Sequence, residues 1–358
     1  MVIYRPVKST GSRIEVNIMC SIKSEKPLSI LIIGTGGTIA GVSNNNIGND
    51  YRSGESDIGD VIDRVKASPS FCISPGEVNI TELNLFNKNS DDISLSDLMK
   101  LTELINAHSE RDEYDGFVVT HGTDTMEESS LFLSLSVVSP KPVILTGSMI
   151  PGDLPGSDSV PNLAGAISAM THMIEEKKVT HSNDSSHNNI YVYFNGRLMN
   201  GICIRKISTN ALDSFMEYET EAISLHNLFD NICNFIGLHN ICSMNDIANN
   251  IKGLRSFPSV PIIPFYMDAD PGILDYYVNR GVNGLVIAGA GAGEFSVEFI
   301  DRIRQITESG IPVIRTSKIK NGPVNENGTL NSISINGGCV TPEKAAILLR
   351  ILLAINNA

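Results

Sequence analysis

Three short stretches carry side chains that can do chemistry together. They read Thr35-Gly36-Gly37-Thr38, Thr120-His121-Gly122-Thr123-Asp124-Thr125 and Thr146-Gly147-Ser148-Met149. Each follows a short apolar run, SILIIG, FVVT or VILT, that reads as a buried strand. In an open parallel sheet, ligands sit outside the carboxyl ends of the strands. Three such ends on one rim bring small hydroxyls and one carboxylate to a common crevice.

The first turn admits two chemistries. A dinucleotide cradle needs G-x-G-x-x-G/A and a P-loop needs Gly-Lys-Ser/Thr. Counted from Gly34, the sixth position is Ile39, Ala40 comes one place late, and no lysine is near. The pattern therefore speaks against a phosphate site. For a nucleophile, Gly36 and Gly37 let the backbone bend without a Cβ clash and expose the Thr38 hydroxyl. Such a hydroxyl needs a base or charged relay to take its proton. The plainer alternative is that Thr38 caps the following helix. The second turn is open in the same way. Asp124 can hold a substrate ammonium by charge-assisted hydrogen bonds. Alternatively, Asp124 or Thr123 is an N-cap, with Glu127 and Glu128 favoured in the first turn by the helix dipole.

Positioning these turns requires strands that alternate with helices. Ile58, Val61, Ile62 and Val65 recur at helical spacing. Ser94, with Asp97 three residues on, opens a helix striped by Leu98, Leu101 and Ile105. Strands are expected at 116–120, 142–147 and 190–194, and helices at 126–138 and 162–174. The alternation predicts an α/β fold, with a large N-terminal doubly wound, mostly parallel sheet over residues 28–224. Residues 225–258 read as a connecting segment. Alternation resumes over 259–358, with strands at 260–266, 284–290 and 312–316 and helices at 296–309 and from Pro342; this is a smaller C-terminal α/β domain. Residues 1–27 lack the continuous apolar core of a secretory signal and read as a loosely ordered extension. Segments 44–50 and 181–189 read as polar surface loops.

Composition narrows the partners. The 358 residues are 42% apolar and 19% charged, as in a globular chain with a sizeable core. No stretch approaches the roughly 18 uninterrupted apolar residues of a membrane span. A net charge of −13 without basic patches speaks against nucleic-acid binding. The six cysteines form no CxxC pair and the seven histidines no HExxH or HxH, so no metal site is expected and the thiols read as reduced.

TGGTIAG followed by THGTDTMEES resembles the paired signatures of the bacterial-type L-asparaginases and glutaminase-asparaginases. The resemblance continues through LTGSMIP (145–151), NLAGAI (162–167), YFNGRLMNG (193–201) and RTSK (315–318), and spans residues 28–358. It implies a large N-terminal and a smaller C-terminal α/β domain, a homodimer or homotetramer, and hydrolysis of L-asparagine to L-aspartate and ammonia without a cofactor. By motif, Thr38 is similar to the family's nucleophile and Tyr51 to the tyrosine that assists it. Ser90 resembles the residue gripping the substrate α-carboxylate, with Asp91 beside it and Gly37 of the first turn also counted as substrate-binding. Asp124 resembles the residue binding the α-ammonium. Thr123 and Lys206 match the second hydroxyl and its lysine, and Ser148 a backbone contact near the amide. GSMIPGDLPGSDSVPNLAGAI is similar to the cytosolic branch, whereas RTSK and IAGAGAGE are similar to the periplasmic one. A cytoplasmic location is expected. Glu326 and Asp268 are candidates for an acidic residue donated by a neighbouring subunit. Other readings are a glutaminase, a tRNA-linked amidotransferase subunit, a non-catalytic amino-acid sensor and a nucleotide-binding oxidoreductase.

Overall fold

The computed structural model describes residues 27–43, 51–52, 57–69, 71, 73, 76–180, 189–241 and 243–358, with backbone alone at 42–43, 51–52 and 177–180. The N-terminal extension, the loops at 44–50 and 181–188, and Cys20, Cys72 and Cys242 lie outside the described residues.

The run from Leu28 to Ile33 is β1 (Leu28–Gly36). Its side chains alternate: Leu28, Ile30 and Ile32 enter one apolar cluster, Leu31 and Ile33 another. A strand buried on both faces has this continuous apolar signature. A short hairpin, β2 (Val42–Ser43) and β3 (Tyr51–Arg52), leads to α1 (Ile58–Ala67) and to β4 (Val78–Lys88). Then follow α2 (Leu95–Glu110), β5 (Gly116–Thr120), α3 (Met126–Ser136), β6 (Val143–Thr146), α4 (Ser159–Thr180), β7 (Ile190–Phe194) and β8 (Arg197–Asn200). The sheet order is β4-β1-β5-β6-β7-β8, parallel except for the β7–β8 hairpin. That hairpin turns on Asn195 (φ 47) and Gly196 (φ 76), the residue pair a two-residue loop favours. Helix α2 starts on the expected capping box of Ser94 and Asp97.

Strand order reverses between β1 and β5. From β1 the chain moves outward to β4; from β5 it moves the opposite way to β6. Their loops part at this switch point, which opens a crevice at the carboxyl ends of the two strands.

The chain continues through a two-stranded ribbon, β9 (Ile204–Lys206) and β10 (Phe215–Glu217), to α5 (Thr220–Ile236) and α6 (Met244–Asn250). A second, parallel sheet follows, ordered β11 (Ile262–Pro264), β12 (Leu285–Gly289), β13 (Val313–Ser317), β14 (Ile335–Asn336). It carries α7 (Gly272–Asn279), α8 (Val297–Glu308), α9 (Gly328–Asn331) and α10 (Pro342–Asn356). The large doubly wound sheet and smaller C-terminal α/β unit are those the alternation predicted. Most of α5 and all of α6 fall within residues 225–258. Leu228, Phe229 and Ile232 of α5 share one buried cluster with Phe132 of α3 and with Leu348 and Leu352 of α10. The two sheets are therefore tied through a common core.

Candidate active site

Strand β1 slips register against β4 between Gly34 and Gly36. Gly36 (φ 100) and Gly37 (φ 83) then turn the chain through conformations that side chains rarely adopt. Space also forbids a side chain here. A Cβ on Gly36 would lie 2.3 Å from the Lys88 carbonyl oxygen, and one on Gly37 would lie 2.5 Å from the Gly122 nitrogen. The first turn thus rests directly on the second. Thr38, 7% exposed, heads the three-residue 3-10 turn Thr38–Ala40, and Gly37 occupies the N-cap position. The capping alternative for Thr38 does not hold.

Capping does not hold for Asp124 or Thr123 either. The N-cap of α3 is Thr125, whose side chain makes no cap; its hydroxyl donates instead to the Ser90 carbonyl at 2.7 Å. The Asp124 carboxylate is 71% exposed, and its Oδ1 accepts a hydrogen bond from Lys206 Nζ at 2.6 Å. The same Nζ donates to Thr123 Oγ1 at 2.9 Å. Lys206 lies 83 residues from Thr123 in the chain, and its side chain is only 13% exposed.

The Ser90 turn and the Gly147-Ser148 turn pack against this second turn. Ser90 is buried, and a Cβ on Gly122 would approach its Oγ to 2.8 Å. Asp91 is exposed beside it. A Cβ on Gly147 would lie 2.4 Å from the His121 carbonyl oxygen and 3.5 Å from Thr123 Cγ2, so the third turn packs on the second. That third turn is held by Asp158, which accepts from the Met149 and Ile150 amides at 3.0 Å, and by Asn162, which donates to the Gly147 carbonyl at 2.9 Å. Ser148 is buried and its Oγ has no partner among the described residues; the same is true of Thr120 Oγ1 and His121 Nε2. Tyr51 pairs its backbone with Ser43; its side chain lies outside the described residues. Glu326 accepts from Asn331 and Asn336. Asp268 holds a positive φ of 64° in the loop after β11.

Three residues that the motifs left without a role shape this rim. His121 is fully buried, and burial pushes its pKa down to about 4 against the opposing pull of the Gly122 carbonyl. It is therefore neutral near pH 7, with Nδ1–H donating to Gly122 O at 2.7 Å and bracing the turn. Burial raises the pKa of Glu127, and nearby Lys344 opposes the shift. Burial and the neighbouring Glu127 push Glu128 up to about 8. Their sequence signal, acids in a first helical turn, also fits ordinary dipole pairing and so did not mark them.

A family model described as "Asparaginase, N-terminal" matches residues 29–228, and one described as "Glutaminase/Asparaginase C-terminal domain" matches residues 259–358. The chain belongs to the asparaginase family. It is 30% identical over 349 residues to L-asparaginase 2 of Bacillus subtilis, covering 94% of this chain and 85% of that one. It is 29% identical over 343 residues to the probable periplasmic L-asparaginase of Haemophilus influenzae, with 91% and 88% covered. The crystal structure of a probable cytoplasmic L-asparaginase from Campylobacter jejuni matches with a TM-score of 0.71 at 25% identity, over 91% of this chain and 95% of that one. In this asparaginase-family chain the described residues include no group of three or more His, Cys, Asp or Glu able to hold a metal ion. They include no helix long and apolar enough to cross a membrane. Cys203 and Cys233 are buried free thiols, both pushed up to about 11, chiefly by burial.

Proposed function

We propose that this chain hydrolyses L-asparagine to L-aspartate and ammonia through an acyl-enzyme on Thr38. The observation that carries the reading is the single Lys206 ammonium hydrogen-bonded to both Thr123 Oγ1 and Asp124 Oδ1, at the crevice where the Thr38 turn rests on Gly122. One Asp124 oxygen is engaged by Lys206, and the other is available to a substrate ammonium. Ser90 takes the α-carboxylate, with Gly37 and Asp91 bordering it. With both charged ends of the substrate held, the amide carbon of its short side chain has one place to go, against Thr38. Such positioning contributes several kcal/mol, roughly 7–11 at best.

Thr38 Oγ attacks the amide carbon as its proton is drawn off, with Tyr51 the assisting hydroxyl. Backbone N–H groups of the glycine turn and of Thr123 receive the oxyanion. The amide nitrogen takes a proton and leaves as ammonia. Water then attacks the ester. Thr123 takes a proton from that water as its own passes to the Thr38 oxygen; the ester bond to Thr38 breaks, aspartate leaves, and the Lys206 ammonium stabilises the charge that develops on the Thr123 oxygen. The buried Ser148 turn borders the departing amide. No step calls for a cofactor. The protein acts as a homodimer or homotetramer, consistent with the exposed Tyr266, Met267 and Tyr276 on the C-terminal unit. The cytosolic-type motif at 147–167 favours a cytoplasmic location.

Steady-state ammonia release from asparagine and from glutamine tests the reading. Asparagine turnover is expected, with preference over glutamine limited to the 1–3 kcal/mol or so that one methylene confers. Asp124→Asn should raise KM about 10- to 100-fold with Tm unchanged, because Thr125 holds the N-cap position. Release from neither substrate sinks the reading.

A further inference from the structure

Strand β9 delivers Lys206, yet it has three residues and pairs only with β10, in a ribbon separate from both sheets. A two-stranded ribbon of this size is marginal by itself. What holds it is a set of charged side chains, and its backbone polar groups are their ligands. Lys344, fully buried on α10, donates from Nζ to the carbonyls of Ile202 at 2.6 Å and Ile204 at 2.7 Å. Glu127 Oε2 accepts from the Lys206 amide at 2.8 Å. Lys320 donates to the Lys206 carbonyl at 2.7 Å.

The Arg205 side chain is buried too. Its Nε lies 3.2 Å from Glu221 Oε2, and its other nitrogens donate to the carbonyls of Lys320 and Cys339. Glu221 Oε2 also accepts from Lys344 Nζ at 2.9 Å. Lys344 and Lys320 belong to the C-terminal unit, Glu127 to the N-terminal one. A buried ammonium must satisfy three donors, and Lys344 spends two of them on carbonyls that closely precede Lys206 and one on Glu221. A buried ion pair often contributes little net stability against an apolar replacement, so stability alone is a weak account of this one.

We propose that Lys344 and Lys320 are positioning residues for the reaction: by holding carbonyls of β9 and of Ile202 just before it they set Lys206 Nζ against Thr123, so the C-terminal unit supplies part of the catalytic geometry. The inference rests on the role given to Lys206 above. A group displaced by about 1 Å can cost about 100-fold in rate. Binding of the substrate ends depends on Asp124 and Ser90, which sit on other elements.

The test measures kcat, KM and Tm for Lys344→Met, Lys320→Met, Lys320→Arg and Leu274→Ala. Leu274 is a fully buried residue of a C-terminal cluster that contains no residue of β9, and its truncation reports the effect of instability alone. Lys344→Met should lower kcat about 100-fold with KM shifted by no more than about fivefold, while Leu274→Ala keeps kcat at a comparable Tm. Lys320 is exposed, so Lys320→Met should fold as wild type, lose about 10-fold in kcat and recover in Lys320→Arg, whose guanidinium can reach the same carbonyl. A folded Lys344→Met enzyme with kcat within about threefold of wild type overturns the proposal. If Lys344→Met does not fold, an unchanged kcat in Lys320→Met overturns it. Absent turnover in the wild type is a separate failure, of the asparaginase reading.

Discussion

Both parallel sheets end their strands in glycines and hydroxyls: Gly36-Gly37-Thr38 and Gly122-Thr123 on the larger, Gly289 and Thr316-Ser317 on the smaller. The fates of these hydroxyls differ. On the smaller sheet Ser317 donates to the Gly291 carbonyl and Thr316 to the Ile287 carbonyl at 3.1 Å, so the rim bonds to itself. On the larger, Ser148 and Thr120 keep buried hydroxyl oxygens without a partner among the described residues. The smaller sheet runs β11-β12-β13-β14 in chain order, whereas the larger reverses between β1 and β5. Reversal parts the loops and leaves room for a ligand. On the proposed reading, a hydroxyl at a strand end serves the chemistry where the sheet opens beside it.

Substitutions made in pairs, one on each rim, sharpen or break this comparison. The largest contrast is expected between Thr38→Ala and Ser317→Ala: kcat for ammonia release should fall by about 10³-fold or more in the first and stay level in the second. Equal, small losses would mean that the two rims are equivalent and that Thr38 has no special role.

Next in size is the glycine pair. Gly37→Ala should lower stability by roughly 1–3 kcal/mol and activity with it, because its Cβ would enter the Gly122 backbone. Gly291→Ala, with nothing within 4 Å of its Cβ and φ near 50°, should cost about 1 kcal/mol and leave kcat alone. Denaturant unfolding followed by assay of both variants decides it.

The smallest effect concerns Glu128, whose buried Oε2 has no partner among the described residues. Its folded pKa of about 8 lies above the ordinary carboxylate value, so the folded state retains a proton that the unfolded state releases. Stability therefore falls as pH rises from about 4.5 to 8. Glu128→Gln should flatten this slope, so that the variant gains stability over wild type as pH rises to 8, with little change at pH 4.5. A Tm difference independent of pH would contradict it.

Much of the fold is legible in residue periodicity. The two-faced run Leu28–Ile33, the Ser94–Asp97 capping box and the helical stripe Ile58-Val61-Ile62-Val65 all predict the elements that form. Strand β4 was not read from the sequence, since VNITELNLFNK is polar and half-exposed at the sheet edge. Helix α7, only eight residues long, escaped for want of turns to count. At the site, the motifs picked out turns that pack against one another in the fold but left Thr38 and Asp124 open between capping and chemistry. That ambiguity is local, because a cap and a ligand anchor use the same residue types. Gly37 and Thr125 take the N-cap positions, which removes the capping alternative.

The amino-acid order alone determined where strands end, which turns lack side chains and which hydroxyls and charges follow them, because steric freedom and periodic burial act over a few residues. Tertiary structure alone decided that Lys206 reaches Thr123 across 83 residues, and that α10 grips the strand bearing it. Those meetings depend on strand order and on a core shared by two sheets, and neither is written in any short window of the chain.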